Sequence, residues 1–260
     1  MVIYKGGEEL KIRLKTDREI KLMREVNREV GKLLQELAKL VRPGITTKDL
    51  DEFAEEYIRK LGAIPTFKEM AKFPGCICTS VNNQVVHGIP SPTQVLKEGD
   101  IVSIDAGMQL NGYCGDSTIT VGVGEISEEK KRLLEVTKQA LALGIEQCVV
   151  GNRIGDIGYA MQTYVESQGY SIVREFIGHG IGKFMHEPPE VPSFGKKGTG
   201  LELKRGLVIA VEPIVNMGDY KVNILRDGWT VVTADGSLSA QFEHTVAITN
   251  EGPQILSLPD

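Results

Sequence analysis

Paired cysteines are missing from this chain. Its four cysteines, Cys76, Cys78, Cys114 and Cys148, have neither the density of a disulfide scaffold nor the paired C-x-x-C spacing of a zinc site, and they read as reduced thiols. A basic excess is missing too. Thirty Lys and Arg face 35 Asp and Glu, for a net charge of −5, which argues against a nucleic-acid surface and against DNA as a partner. No run approaches the roughly 18–20 apolar residues that a membrane span needs. The opening MVIYKGGEELKIRLK has no apolar core of a secretory signal, so a cytoplasmic location is expected. With no Pro/Ser-rich linker, the 260 residues read as one domain, long enough to bury a sizeable core.

What is present begins with helix signals. Thr16-Asp17-Arg18-Glu19 is a capping box opening an apolar stripe from Ile20 to Val41, ended by Pro43-Gly44. A second cap, Thr46-Thr47-Lys48-Asp49, starts a helix with Leu50, Phe53, Ala54, Tyr57, Ile58 and Leu61 inward, stopping at Gly62. Short β-like pieces follow at Cys76–Val81 and Gln84–Ile89. After Ile126 the order repeats, with Ser127 capping a helix through Cys148 and another helix from about Gly155 to Gly169. One constant shift along the chain aligns Gly44 with Gly151, Asp49 with Asp156, Tyr57 with Tyr164 and Gly62 with Gly169, which suggests a duplication. The halves would be about 16–123 and 127–250. Strands are expected at Gly206–Val215, at Val222–Arg226 and Trp229–Thr233 around Asp227-Gly228, and at Gln241–Thr249. Helices mixed with antiparallel hairpins make an α+β fold.

The stretch Ile101–Val121 reads as a β-hairpin turning at Asn111-Gly112. With those two residues as the loop, Asp105 faces Thr118, and Asp116 is the diagonal neighbour of Asp105 on the same sheet face, roughly 7–8 Å away between backbones. Two carboxylates among Ile and Val need a cation or a shared proton. Three further ionisable residues sit in apolar or glycine-rich contexts: His179 in FIGHGIG, Glu212 in AVEP and Glu243 in QFEHT. Four carboxylates and an imidazole are a hard oxygen-plus-nitrogen set that suits divalent metals, and two metals roughly 3.5–4 Å apart would neutralise the acids. The glycines flanking His179 form no dinucleotide fingerprint, because no strand-to-helix G-x-G-x-x-G unit is present.

In order and context, SIDAG, CGDST, GHGIG, VEP and QFEHT resemble the metal-ligand motifs of the methionine aminopeptidases, and the resemblance runs over nearly the whole chain. It implies the pita-bread fold, two pseudo-symmetric α/β halves around a shared antiparallel sheet. Without a large helical insertion in the second half, the chain resembles type I; it also lacks the N-terminal domain of the prolidases. The resemblance implies that Asp105 chelates one metal, His179 and Glu212 the other, and that Asp116 and Glu243 bridge both. The ions would be two of Co, Mn, Fe or Zn. Glu212 would also shuttle a proton, His87 in VVHGIP would lie near the scissile amide, and His186 in KFMHEPP would bind the substrate carbonyl.

A methionine pocket is expected from Cys78, Phe73 and Trp229, with Met185 standing where the family commonly has an aromatic and Val86 where it commonly has Cys. Asn82 and Ser239 match a monovalent-cation site of relatives. The implied activity is removal of the initiator methionine from nascent polypeptides whose second residue is small, by a monomer working near the ribosome exit. Two other readings stay open: an Xaa-Pro-specific metal exopeptidase of the same fold, and a non-catalytic binding protein of that fold.

Overall fold

The computed structural model describes residues 11–259, together with the backbone of two short paired strands, β1 (Tyr4–Lys5) and β2 (Glu8–Glu9). Helix α1 (Asp17–Leu40) starts at the expected capping box. The Glu19 N–H reaches the Thr16 hydroxyl at 3.3 Å and the Glu19 carboxylate accepts the Thr16 N–H at 2.8 Å. Its stripe, including Met23, Val26, Val30, Leu33 and Leu37, is fully buried. A second reciprocal box at Thr46 and Asp49 opens α2 (Thr47–Lys60). Then come β3 (Ile64–Pro65), α3 (Thr66–Met70), β4 (Ile77–Val81), β5 (Ile101–Leu110) and β6 (Tyr113–Gly122). The second half holds α4 (Glu128–Glu146), α5 (Ile154–Ser167), β7 (Ser171–Ile172), β8 (Gly178–Gly180), β9 (Glu187–Val191), β10 (Val208–Val211) and β11 (Ile214–Asn216). It closes with β12 (Val222–Ile224), β13 (Val231–Thr233), β14 (Ser239–Gln241), β15 (Glu243–Thr249) and β16 (Gly252–Ile255).

The strands β3, β5, β6, β15, β10, β8 and β9 follow one another in a curled antiparallel sheet, with β4 added on β5 and β16 on β15. The two halves meet where β6 pairs β15, at Ser117↔His244 and Thr118↔Glu243. Two large apolar clusters flank the sheet, one built mainly from the first half of the chain and one mainly from the second. Helix α1 covers β5 and β6, with α2 against α1, β3 and β4, and Met23, Leu33 and Leu50 bury there with Ile104 of β5. Helix α4 covers β10, β11 and β14, with α5 against α4, β7 and β9, and Leu133, Ile157 and Met161 bury there with Ile209 of β10.

The offset that aligns the repeated sequence recurs in the backbone. It relates α2 to α5, β3 to β7, the start of β5 to the start of β10, and the isolated bridge Thr46↔Val95 to Arg153↔Glu202. The turn glycines follow suit, with φ of +90° at Gly44 and +93° at Gly151.

The hairpin has the expected register, Asp105↔Thr118 and Gly107↔Asp116 among its pairs, with Asn111 at φ +52° and Gly112 at φ +78° in the turn. Some expected elements differ. Gln84–Ile89 is no strand; it runs beside β13, with one bridge at Gln84↔Val232, until His87 turns the chain at φ +56°. The run Gly206–Val215 splits into β10 and β11 at Glu212-Pro213, since proline has no N–H for a ladder. Gln241–Thr249 likewise breaks at Phe242. Leu61 lies past the last turn of α2 and is 37% exposed, and Cys148 lies past the end of α4 yet is buried.

Candidate metal centre and substrate cleft

A row of side chains crosses the sheet at the seam between halves. Cys78 on β4 pairs with Asp105 on β5, Asp105 with Thr118 on β6, and Thr118 with Glu243 on β15. One step beyond the last β10–β15 pair, Val211↔His244, stand Glu212 and Glu243. Directly opposed residues share a face, so this row puts three acids on one side of the sheet, and Asp116, two residues before Thr118, joins them. His179 enters from β8. Its Nε2 is 3.6 Å from Asp116 Oδ2 and 3.8 Å from Glu212 Oε1. Its Nδ1 faces the Gly180 carbonyl at 3.0 Å, which places the proton on Nδ1 and leaves the Nε2 lone pair aimed at the acids. All five expected ligands are therefore brought together.

The donor set fits divalent cations. Ligand atoms of Asp116, His179 and Glu243 lie within 4.8 Å of one another. Asp105 Oδ1, Asp116 Oδ1 and Glu243 Oε1 are sealed from solvent with no hydrogen-bond partner, an arrangement that buried carboxylates rarely tolerate. Burial and mutual repulsion push every acid upward. Burial takes Asp105 up to about 7 against the pull of its Thr118 hydrogen bond. Asp116 is raised by burial and then by Asp105 and Glu212, Glu212 by burial and then by Glu243 and Asp105, and Glu243 by burial and then by Asp116 and Asp105. The same burial drives His179 down to about 3, so it is neutral and able to ligate. Bound cations would relieve all of these penalties together.

Neighbours fix the acids. Thr118 Oγ1 donates to Glu243 Oε2 at 2.8 Å, and Gln241 Nε2 to Glu212 Oε2 at 3.1 Å. The β6–β15 ladder ends at Ser117, so the Asp116 main chain needs other partners. Asn27, fully buried on α1, accepts the Asp116 N–H at 3.2 Å, and the Thr245 hydroxyl donates to the Asp116 carbonyl at 2.8 Å. Of these four supporting residues, Thr118, Gln241 and Thr245 lie inside the CGDST and QFEHT motifs, though their supporting bonds do not show there, and Asn27 shows only as an amide inside an apolar stripe.

Two further imidazoles and an aromatic group stand beside the acids. The His186 ring centroid lies 4.4 Å from that of His179, and His186 itself is exposed. His87 stacks edge-on against Phe176 at 5.4 Å and Trp229 at 6.4 Å, and Trp229 against Phe73 at 5.3 Å. Phe176 is an addition to the expected set. Desolvation lowers His87 to about 4 and lowers His186, so both imidazoles are neutral near pH 7. Burial and then Asp105 and Asp116 hold the Cys78 thiol protonated. Met185 is buried in the N-terminal core, where Gly107 leaves room for its methyl group. Val86 is also buried, in a small cluster with Val85, Val173, Ile214 and Val231. Asn82 and Ser239 do meet. The Asn82 carbonyl accepts the Ser239 N–H at 3.0 Å, and the buried Ser239 hydroxyl has no partner.

This sheet with its acid-lined seam is the architecture of a pita-bread metallopeptidase, and the sequence comparisons give the family. The profile of metallopeptidase family M24 matches residues 21–250, and the chain belongs to that family. It is similar to a methionine aminopeptidase of Clostridium acetobutylicum, 53% identical over 245 residues covering 94% of this chain and 98% of the relative. The crystal structure of methionine aminopeptidase from Rickettsia prowazekii, 42% identical, superposes with a TM-score of 0.94 over 95% of this chain and 100% of that one. The Xaa-Pro dipeptidase of Bacillus anthracis shares the fold at 24% identity and a TM-score of 0.75; this chain spans 61% of its length. Among the described residues no helix is long and apolar enough to cross a membrane.

Proposed function

We propose that this chain is a metal-dependent methionine aminopeptidase that removes the initiator methionine from new polypeptides whose second residue is small. The observation that carries the reading is the acid row at the seam, with three buried carboxylate oxygens left without partners. Asp105, Asp116, His179, Glu212 and Glu243 would hold two divalent ions, Asp116 and Glu243 being shared between them. Such ions, when bound, supply Lewis acidity and activate water near neutral pH.

The remaining chemistry belongs to the chain. Glu212 is half-buried, its carboxyl raised, and it can accept a proton and pass it to the departing amine. His186, neutral and exposed, can donate a hydrogen bond to the substrate carbonyl as charge develops on its oxygen. His87 stands on the aromatic wall, where it can hydrogen-bond the scissile amide. A thioether side chain suits the slot formed by Cys78, Phe73 and Trp229, with Phe176 beside His87 and Met185 packed behind the site. A monovalent cation at Asn82 and Ser239 belongs to the same reading, supported by the unpartnered Ser239 hydroxyl. So do a cytoplasmic, monomeric enzyme and contact with nascent chains at the ribosome.

The test is a peptide panel. Met-Ala-Ser is expected to lose methionine, Met-Leu-Ser to be spared, and chelation to abolish the activity until Co, Mn, Fe or Zn is returned. Cleavage of Xaa-Pro peptides instead would favour the proline-specific reading, and inactivity with full metal occupancy would favour the binding protein.

A further inference from the structure

The segment ahead of α1 carries one buried lysine. Lys15 Nζ donates to Glu187 Oε2 at 2.8 Å, and the two side chains are only 5% and 8% exposed. Removing one partner of such a pair strands the other charge in a dry site, while the intact pair adds little to stability. Its place in the fold is therefore informative. Glu187 follows His186 in the chain and lies opposite Gly180, next to the ligand His179, at a shift in the β8–β9 register.

The loop between β8 and β9 is tied down around this pair. Glu187 Oε1 accepts the Phe184 N–H at 3.2 Å, and the Gly182 N–H bonds the Phe184 carbonyl at 3.1 Å. The Cys114 N–H holds the Gly182 carbonyl at 2.7 Å, and Gln109 Nε2 holds the Lys183 carbonyl at 3.1 Å, both from the hairpin tip. A side chain at Gly182 would meet the Glu187 carboxylate at 2.6 Å and Lys15 Cε at 2.8 Å, so the pair lies flat on the loop backbone. Lys15 is itself anchored, its N–H bonding the Gly206 carbonyl at 2.6 Å ahead of β10. His186 thus has two buried flanks, Met185 in the core and Glu187 in the ion pair, while its own ring centroid stands 4.4 Å from that of His179.

We propose that Lys15 and Glu187 are positioning residues for His186, fixing the loop so that its imidazole stands over the metal centre. The segment preceding α1 is then part of the active-site architecture. This inference rests on the reading of His186 as the group that binds the substrate carbonyl. The test is a double-mutant cycle on methionine release from Met-Ala-Ser by the metal-loaded full chain. Lys15→Met is expected to lower kcat by about 10–100-fold through misplacement of one interacting group, with KM little changed. In the His186→Ala background the same substitution should lower kcat no further, because the group it positions is gone. An equal loss of kcat in both backgrounds would overturn the proposal. Glu187→Gln keeps an acceptor for the Phe184 N–H while removing the charge, and it carries the same cycle should Lys15→Met fail to fold. If His186→Ala alone leaves kcat intact, the role of His186 is wrong and the proposal falls with it. A loss in His186→Ala to which the pair variants add in full refutes only the positioning role.

Discussion

Under the offset that relates the two halves, Asp105 of the first corresponds to Glu212 of the second, each beside a strand of the seam. Across the ladder the two halves diverge. The first half places Asp116 and then, two residues on, Thr118; the second places Gln241 and then Glu243. Each half therefore supplies two acids, but the second acid is moved by two residues along its strand. In each half the neutral residue of that pair donates to a carboxylate of the second half, Thr118 to Glu243 and Gln241 to Glu212. One backbone plan used twice yields an asymmetric site because the acids are staggered along their strands.

Breaking the stagger should have the largest effect. Glu243→Ala removes the acid proposed to serve both metals. It is expected to lower kcat/KM by roughly 10³-fold or more, several kcal/mol of transition-state stabilisation, measured as methionine release. Thr118→Val leaves every acid in place but strips Glu243 of its donor, and metal affinity by calorimetry should fall about 10–100-fold. Asn27→Leu tests support found only in the first half. It leaves the buried Asp116 N–H without a partner, so denaturant unfolding should show a loss of about 1–3 kcal/mol.

A pH scan separates the acids from the histidines. A carboxyl raised in the folded state stabilises the fold while protonated, and that contribution disappears as pH rises through the folded value, about 7 for Asp105. The histidines act in the other direction: held neutral when folded, they cost stability as pH falls below about 6.5. Chelated protein should therefore lose on the order of 1 kcal/mol, a few degrees in Tm, between about pH 6.5 and 8. Metal-loaded protein should not, because the bound ions hold the carboxylates charged. The smallest contrast lies in the helix caps. Thr46 completes a reciprocal box with Asp49, whereas its counterpart Arg153 has no side-chain acceptor for the Asp156 N–H, which bonds the Arg153 carbonyl instead. Thr46→Ala should destabilise by about 1 kcal/mol and Arg153→Ala by less, compared by thermal melting.

Sequence pattern revealed the hairpin register, both capping boxes and the repeat, because those features depend on neighbours in the chain. The four acids and the imidazole were legible for a related reason. A charge in an apolar run signals a site wherever the fold places it. Asn27 and the Lys15–Glu187 pair were not legible, since each acts on a partner far off in the chain; Thr245 stands in the QFEHT motif, but its bond to the Asp116 carbonyl does not show there. His87 shows a different limit. Its residue type suggested a role, but neither the positive φ that ends the Gln84–Ile89 extension nor its contacts with Trp229 and Phe176 show in the local sequence.

That the seam holds the metal driving methionine release is tested most directly with wild type and Glu243→Ala on Met-Ala-Ser. Each is assayed as prepared, after chelation and after titration with a divalent ion. Wild type is predicted to lose activity on chelation and regain it as two equivalents bind, while Glu243→Ala stays inactive at every metal concentration. Full activity in chelator, or wild-type activity in Glu243→Ala, would contradict that role for the seam.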